Sequence, residues 1–277
     1  MFYEEWIHLL KDFLRGKGLP VYSWNSFLGT DFWSSRAFHV IGNPFIFLFF
    51  LVDSVETATL IESILCVYIS AVSMNLFLKE FGIKKQYVRN SISLIYAFSG
   101  WASLFIGQYM FHRFYALLPF LFYGAENFIQ RKKIIGFILA VFILFLQNYY
   151  FMFPTTIFLF IYCLMSLRHK EITSYSEILL YAVQMIILYF VGFLLSAVLT
   201  VPAFLYLLQN ERVGAQSLGG LFWEPQVYLG MILNFIISPF PVYTDYPNIF
   251  YSGTNGHAYW YSLFIGIIPT VSVISLL

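Results

Sequence analysis

Long apolar runs, punctuated at alternate ends by clusters of Lys and Arg, constrain this chain more than any other feature. The first is 57 to 78 (ETATLIESILCVYISAVSMNLF), closed by Lys79, Lys84, Lys85 and Arg89. Segments 90 to 107 and 114 to 130 follow, separated by a short polar break, Gln108 to Arg113, and the second ends at Arg131, Lys132 and Lys133. A bilayer core about 30 Å thick takes roughly 20 apolar residues per helix, and backbone polar groups inside it are satisfied only by helices or closed barrels. Only 10% of the 277 residues are charged and 60% are hydrophobic. Soluble domains carry roughly a quarter charged residues, so these proportions exclude a soluble sphere. The expected fold is an all-α, polytopic transmembrane helical bundle.

The run from 134 to 167 decides the threading. At 1.5 Å per residue it would reach about 50 Å, too long for one crossing and barely enough for two. Asn148, Tyr149, Tyr150 and Pro154 interrupt it. Arg131, Lys132 and Lys133 precede it and Arg168 and Lys170 follow it, and cytoplasmic loops collect such residues. A single helix would separate the two clusters, whereas two short helices turning near Asn148 keep both inside. With that hairpin, nine of the fifteen Lys and Arg fall in three inner loops. Segment 178 to 208 then reads as a long helix interrupted by Pro202, followed by an outer loop, 209 to 258, and a last span, 259 to 277. The total is about seven passes in one domain: an outer interfacial stretch 1 to 56, six spans over 57 to 208, the outer loop and the final span.

The stretch 1 to 56 would have to cross without a preceding helix, and the chain ends within an apolar run, so a piece of a longer protein is expected. The start is charged and amphipathic, unlike a cleavable signal peptide. A net charge of +1 gives no basic excess for nucleic acid. Cys66 and Cys163 lie in apolar runs and read as buried small hydrophobes, with no metal-ligand or disulfide spacing. No GxxxxGK[ST], HExxH, GxSxG or CxxC motif is present.

Chemistry is therefore sought in the outer segments. Residues 16 to 44 (GKGLPVYSWNSFLGTDFWSSRAFHVIGNP) carry Gly and Pro that prevent a continuous helix, and Tyr22, Trp24, Trp33 and Phe38, whose rings suit the headgroup layer. Two readings fit: an interfacial anchor, or the wall of a site for a sugar or lipid headgroup with Asp31 as acid or base and Arg36 and His39 facing phosphate. Glu62, a carboxylate inside a span near its outer end, is a further candidate. Glu126 lies near the inner end of its span, one turn before Arg131, and reads as half of a structural ion pair.

The segment GLPVYSWNSFLGTDFW, with the Pro-led apolar run that follows, resembles the YfhO family of bacterial membrane proteins, large polytopic proteins of the GT-C glycosyltransferase type. YAFSGW at 96 to 101, YALLPFLFYGAENFIQRKK at 115 to 133 and NYYFMF at 148 to 153 agree with it. The resemblance implies a multi-pass protein of the bacterial cell membrane that moves a sugar from a polyprenyl-phosphate donor to a cell-envelope polymer such as lipoteichoic acid, with the active face outside. In similar proteins the main catalytic carboxylate lies in an Asp-x-x-Gln-like stretch after the first transmembrane helix, and its counterpart is expected upstream of Met1. Position 43 is Asn where similar proteins often have Asp.

Such a reaction needs cations for the departing phosphate and a carboxylate for the acceptor proton. Asp31 is the catalytic candidate within the chain. Arg36, His112 and Arg113 are the donor-phosphate candidates, the last two because the short break would hold them at the membrane surface; the alternative is that Arg113 snorkels to headgroups. Arg113→Ala is accordingly expected to abolish transfer without loss of folding. Trp24, Asn148, Tyr149, Glu224 and His257 are candidates for the sugar or acceptor, against a plain role as interfacial residues. The reading includes no metal-ligating set, no cofactor beyond a divalent metal that such an enzyme could use, and membrane lipid as a partner. Two competitors stay open: a transporter or flippase subunit for a lipid-linked substrate, and an inactive truncated fragment of the transferase.

Overall fold

The computed structural model describes residues 5, 7–8, 11–13, 15–17, 22–23, 30–31, 33, 41–52, 54–100, 102, 109–170 and 174–208. Its helices are α1 (Leu48–Leu51), α2 (Val55–Phe81), α3 (Gln86–Ala97), α4 (Tyr109–Arg131), α5 (Ile135–His169) and α6 (Tyr175–Leu208). A two-residue antiparallel ladder, β1 (Tyr22–Ser23) with β2 (Thr30–Asp31), lies in the N-terminal stretch. The expected helical membrane bundle is what the chain forms. Val55–Phe81, Phe151–Arg168 and Tyr175–Tyr206 are long and apolar enough to cross a membrane, and Ile135–Tyr149 is a shorter apolar helix. Residues 209–277, with the expected outer loop and last span, lie outside the described residues.

Helix α2 starts where Ser54 Oγ accepts the Thr57 N–H at 3.1 Å and ends at Gly82, whose φ of 111° is the left-handed conformation that glycine adopts without cost. It packs closely on α4 through small residues, including Cys66, Ser70, Ser73 and Ala116, all buried. Lipid is as apolar as a leucine side chain, so close backbone approach and hydrogen bonds hold such helices together. Ser73 Oγ supplies one, donating to the Ala116 carbonyl at 2.9 Å.

Helix α5 is two helices joined at Asn148, whose φ of −164° and ψ of 91° are extended backbone. The arms fold back on each other as the charge count requires. Lys170, just past the second arm, bonds Glu126 near the C-terminal end of α4, and the first arm leaves that same end after a three-residue turn. Phe137 of the first arm and Cys163 and Leu167 of the second line one cavity. Asn148 also starts the second arm as its cap, its side-chain oxygen accepting the Phe151 N–H at 3.3 Å.

Three details depart from the sequence reading. His112 and Arg113 are not in a break between spans, because α4 already begins at Tyr109. The helix expected over 90–107 has its described part at Gln86–Ala97, 12 residues. Pro202 does not interrupt α6, which runs through it for 34 residues. Proline leaves the carbonyl four residues earlier without its helical donor, and here the indole N–H of Trp33 supplies one to Val198 at 3.3 Å. Pro119 in α4 is treated the same way: the freed Tyr115 carbonyl accepts the Tyr96 hydroxyl at 2.7 Å.

That second contact belongs to a reciprocal clasp. The Tyr96 and Tyr115 rings stack at 4.2 Å, the Tyr115 hydroxyl bonds the Tyr96 carbonyl at 2.8 Å, and Ser99 Oγ meets the Tyr115 hydroxyl at 2.7 Å. Tyr96→Phe is expected to cost about 1–3 kcal/mol, since it orphans a carbonyl inside the bundle. Unfolding in mixed micelles measures it, and a change below about 0.5 kcal/mol would show that the clasp is ornamental.

Glycine sets the approach of α4 to the first arm of α5. A Cβ on Gly124 would sit 2.8 Å from Phe137 Cα, a backbone atom that cannot step aside. Gly124→Ala is expected to destabilise by about 1–3 kcal/mol, as overpacking does. A melting temperature equal to wild type would contradict that close contact.

Outward, α6 is almost wholly apolar and exposed: Leu179, Ile186, Phe190, Leu194 and Val198 are each more than half exposed. Such a surface is at home only against lipid.

Candidate functional site

Two polar clusters are buried at opposite ends of the bundle. At the Lys/Arg-rich end, Glu126 accepts from Gln130 at 2.9 Å, from the Tyr162 hydroxyl at 2.5 Å, and from Ser166 and Lys170. Beside it Arg131 pairs with Glu80 at 2.9 Å, and Gln130 donates to the Glu80 carbonyl at 2.6 Å. The sequence paired Glu126 with Arg131. The structure gives each a different partner, because the hairpin brings Lys170 to Glu126 from 44 residues away.

At the other end, Glu62 of α2 and Arg113 of α4 form an ion pair, Oε1 to Nε 3.4 Å, with side-chain exposures of 1% and 0%. Asn43 Nδ2 donates to Glu62 Oε2 at 3.3 Å, and Asn43 Oδ1 accepts the Phe45 N–H at 2.8 Å. Gln147, the residue before the hairpin's tip, donates its side-chain N–H to the Gly42 carbonyl. The 41–45 segment is therefore fastened to both α2 and the hairpin. His112, Gln147, Asn148 and Tyr149 are buried here as well. Asn at 43 fits this arrangement: its N–H bonds the Glu62 carboxylate, where an Asp would set like charge against it unless a proton were shared.

Arg113 is thus neither a surface cation nor a snorkelling one. Its charge is compensated inside the protein, and two charges in lipid persist only when paired in this way. Of the other sequence candidates, Asp31 has its backbone in β2, paired with Tyr22. Trp24, Arg36, Glu224 and His257 lie outside the described residues. Among the described residues no three of His, Cys, Asp and Glu come together to hold a metal.

Sequence reasoning singled out Glu62 on its own and His112 together with Arg113, and missed that Glu62 and Arg113 are one unit. It also missed Gln147, although a Gln inside an apolar run, directly before the turn at Asn148, was a signal of the same kind as Glu62.

An apolar cavity of about 260 Å³ lies between the hairpin and α6, lined among others by Phe137, Leu159, Cys163, Met185 and Tyr189. Phe160 and Ile186, which also border it, are more than half exposed, so it opens to the lipid side. Tyr189 and Thr156 are hydrogen-bonded to each other at its edge.

A lipid-exposed helical bundle with a charge-balanced polar cluster buried at one end defines a polytopic membrane protein. Among known families, the one described as "Bacterial membrane protein YfhO" matches residues 5–254. The chain belongs to the YfhO family of bacterial membrane proteins. No curated protein and no solved structure matches it.

Proposed function

We propose that this chain forms the membrane bundle of a GT-C-type glycosyltransferase that moves a sugar from a polyprenyl-phosphate donor to a cell-envelope polymer such as lipoteichoic acid, on the outer face of the membrane. The observation that carries the reading is the Glu62–Arg113 pair, buried with Asn43 and Gln147 at the end of the bundle opposite the Lys/Arg-rich loops. Charges at such depth are rare in membrane helices and mark the path or site of a polar substrate. A lipid-linked sugar has a polar head and an apolar tail; the bundle offers a polar cluster at one end and an apolar cavity open to lipid.

In this reading the acceptor hydroxyl attacks the sugar's anomeric carbon, its proton passes to a carboxylate, and the donor phosphate departs as an anion met by a cation. Asp31 is the carboxylate candidate in this chain. Because Glu62 balances Arg113, Arg36 is the preferred candidate cation for the phosphate in this reading. Trp24, Asn148, Tyr149, Glu224 and His257 are the candidates for the sugar and acceptor in this reading.

The test uses the full-length protein in proteoliposomes with a radiolabelled polyprenyl-phosphate sugar and envelope polymer. Label is expected in the polymer, and Asp31→Asn or Arg36→Ala is expected to lower its rate about 100-fold or more. Label that crosses the membrane on its lipid while the polymer stays cold would overturn the transferase in favour of a transporter.

A further inference from the structure

The apolar cavity between the hairpin and α6 is a groove framed by two helix faces. On the second arm of α5 its lining residues recur at steps of three and four from Thr156 to Leu167, and on α6 they do so from Ala182 to Tyr189. At 1.5 Å per residue the longer stripe extends about 16 Å, roughly half of a bilayer core about 30 Å thick and so the depth of one leaflet. Helices in lipid associate by close packing, yet about 260 Å³ stays unfilled between these two. An apolar cavity of about 150 Å³ already stays dry and accepts benzene. An apolar group therefore suits this larger one, and its opening beside Phe160 and Ile186 faces acyl chains.

The two ends of the groove differ in charge. Toward the hairpin tip the polar groups are Thr156 and Tyr189, whose hydroxyls bond each other, with Thr156 also donating to the Met152 carbonyl at 2.6 Å. Both are neutral, and their hydrogens are spent within the protein. At the opposite end the stripe stops at Leu167, next to exposed Arg168, while Ala182 follows Tyr181, whose ring centroid lies 3.4 Å from Lys132 Nζ. Neither cation has an acidic partner among the described residues, and the nearby Glu126 and Glu80 are taken by Lys170 and Arg131. Glu177, exposed one turn before Tyr181, is a single acid against these two cations. An ammonium resting on a ring face keeps N–H donors for a second ligand. Basic positions between helices on the cytoplasmic side bind anionic headgroups. A lipid with a phosphate at the basic end and a chain along the groove matches it end for end.

We propose that the groove holds one acyl chain of an anionic phospholipid from the leaflet on the Lys/Arg-rich side, its phosphate met by Lys132 and Arg168. The site does not rest on the transferase reading; the tail of a polyprenyl-phosphate donor is its competitor for the groove.

Photolabelling of the full-length protein in phosphatidylcholine proteoliposomes tests it, with trace phosphatidylglycerol carrying a diazirine in one acyl chain as the probe. Adducts are expected at Leu159, Cys163 and Met185. Excess unlabelled phosphatidylglycerol is expected to remove them, whereas phosphatidylethanolamine and a polyprenyl phosphate are not. Lys132→Gln/Arg168→Gln is expected to lower the groove adducts about tenfold or more. Adducts on Leu180 and Ile187, more than half exposed on α6, should stay at the wild-type level. The headgroup competition needs no variant and decides the matter if the double substitution fails to fold. Groove adducts that ignore the headgroup, or that persist in the folded double variant, mean bulk lipid and overturn the site, as does their absence. Displacement by the polyprenyl phosphate gives the groove to the donor tail instead. Headgroup-selective labelling in a protein that transfers no sugar sinks the transferase and leaves this site.

Discussion

Arg113→Ala is expected to destabilise the protein by about 3–5 kcal/mol, the cost of leaving one partner of a buried ion pair uncompensated. Glu62 would remain as a carboxylate with 1% side-chain exposure inside the bundle, its attractive partner gone and only Asn43 still donating to it. Glu62→Gln/Arg113→Met removes both charges at similar volume and is expected to recover most of the loss, because well-packed neutral pairs replace buried ion pairs at little cost. A double-mutant cycle followed by denaturant unfolding in mixed micelles measures the coupling. This reverses part of the sequence-based expectation, which had Arg113→Ala silencing transfer in a fully folded protein. Loss of transfer in that variant would report on folding as much as on chemistry, so the cycle has to precede any activity assay. If Arg113→Ala unfolds at the wild-type denaturant concentration, the pair is not buried as described.

The second large effect lies at the other end. Glu126→Ala is expected to cost about 3 kcal/mol or more, since it strands a lysine ammonium and three neutral donors that converge on one carboxylate. The donors come from α4 and from the second arm of the hairpin, so the loss should loosen that arm first. Hydrogen exchange over residues 160–169 should rise ahead of the same measurement in α2. Arg131→Ala, just over one helical turn away, is the comparison: it strands Glu80 of α2, whose side chain is 6% exposed, so its loss should loosen the Glu80 end of α2 and not the second arm of the hairpin. Early exchange over residues 160–169 in Arg131→Ala as well would contradict the assignment of Lys170, and not Arg131, to Glu126.

The parts of the fold that follow from local chemistry were legible in the chain. Counting Lys and Arg on either side of 134–167 called for a hairpin, and the extended backbone at Asn148 with Lys170 beside Glu126 is that hairpin. Cys66 and Cys163 are buried thiols, as their apolar neighbours implied. What depended on distant partners was not legible. Pro202 reads as a helix breaker until Trp33, 165 residues away in sequence, supplies the missing donor. Glu126 reads as the partner of the nearest arginine until the hairpin delivers a lysine. Arg113 reads as a surface cation because nothing local shows that Glu62, on another helix, waits opposite it. The candidate site suffered most, since its side chains come from α2, α4, the 41–45 segment and the hairpin tip. Each residue could be suspected alone, but the pairing that fixes its charge state belongs to the fold.

The claim on which the functional reading depends is that the polar cluster and the basic loops lie on opposite faces of the membrane. Single cysteines at Pro44, Lys84, Lys133 and Arg168, all exposed, can be introduced after replacing buried Cys66 and Cys163 with alanine, and labelled with an impermeant maleimide in intact cells. Pro44→Cys is expected to react from outside, while Lys84→Cys, Lys133→Cys and Arg168→Cys react only once the membrane is opened. Labelling of Pro44→Cys and Lys84→Cys from one side, or of Lys133→Cys and Arg168→Cys from opposite sides, would contradict it.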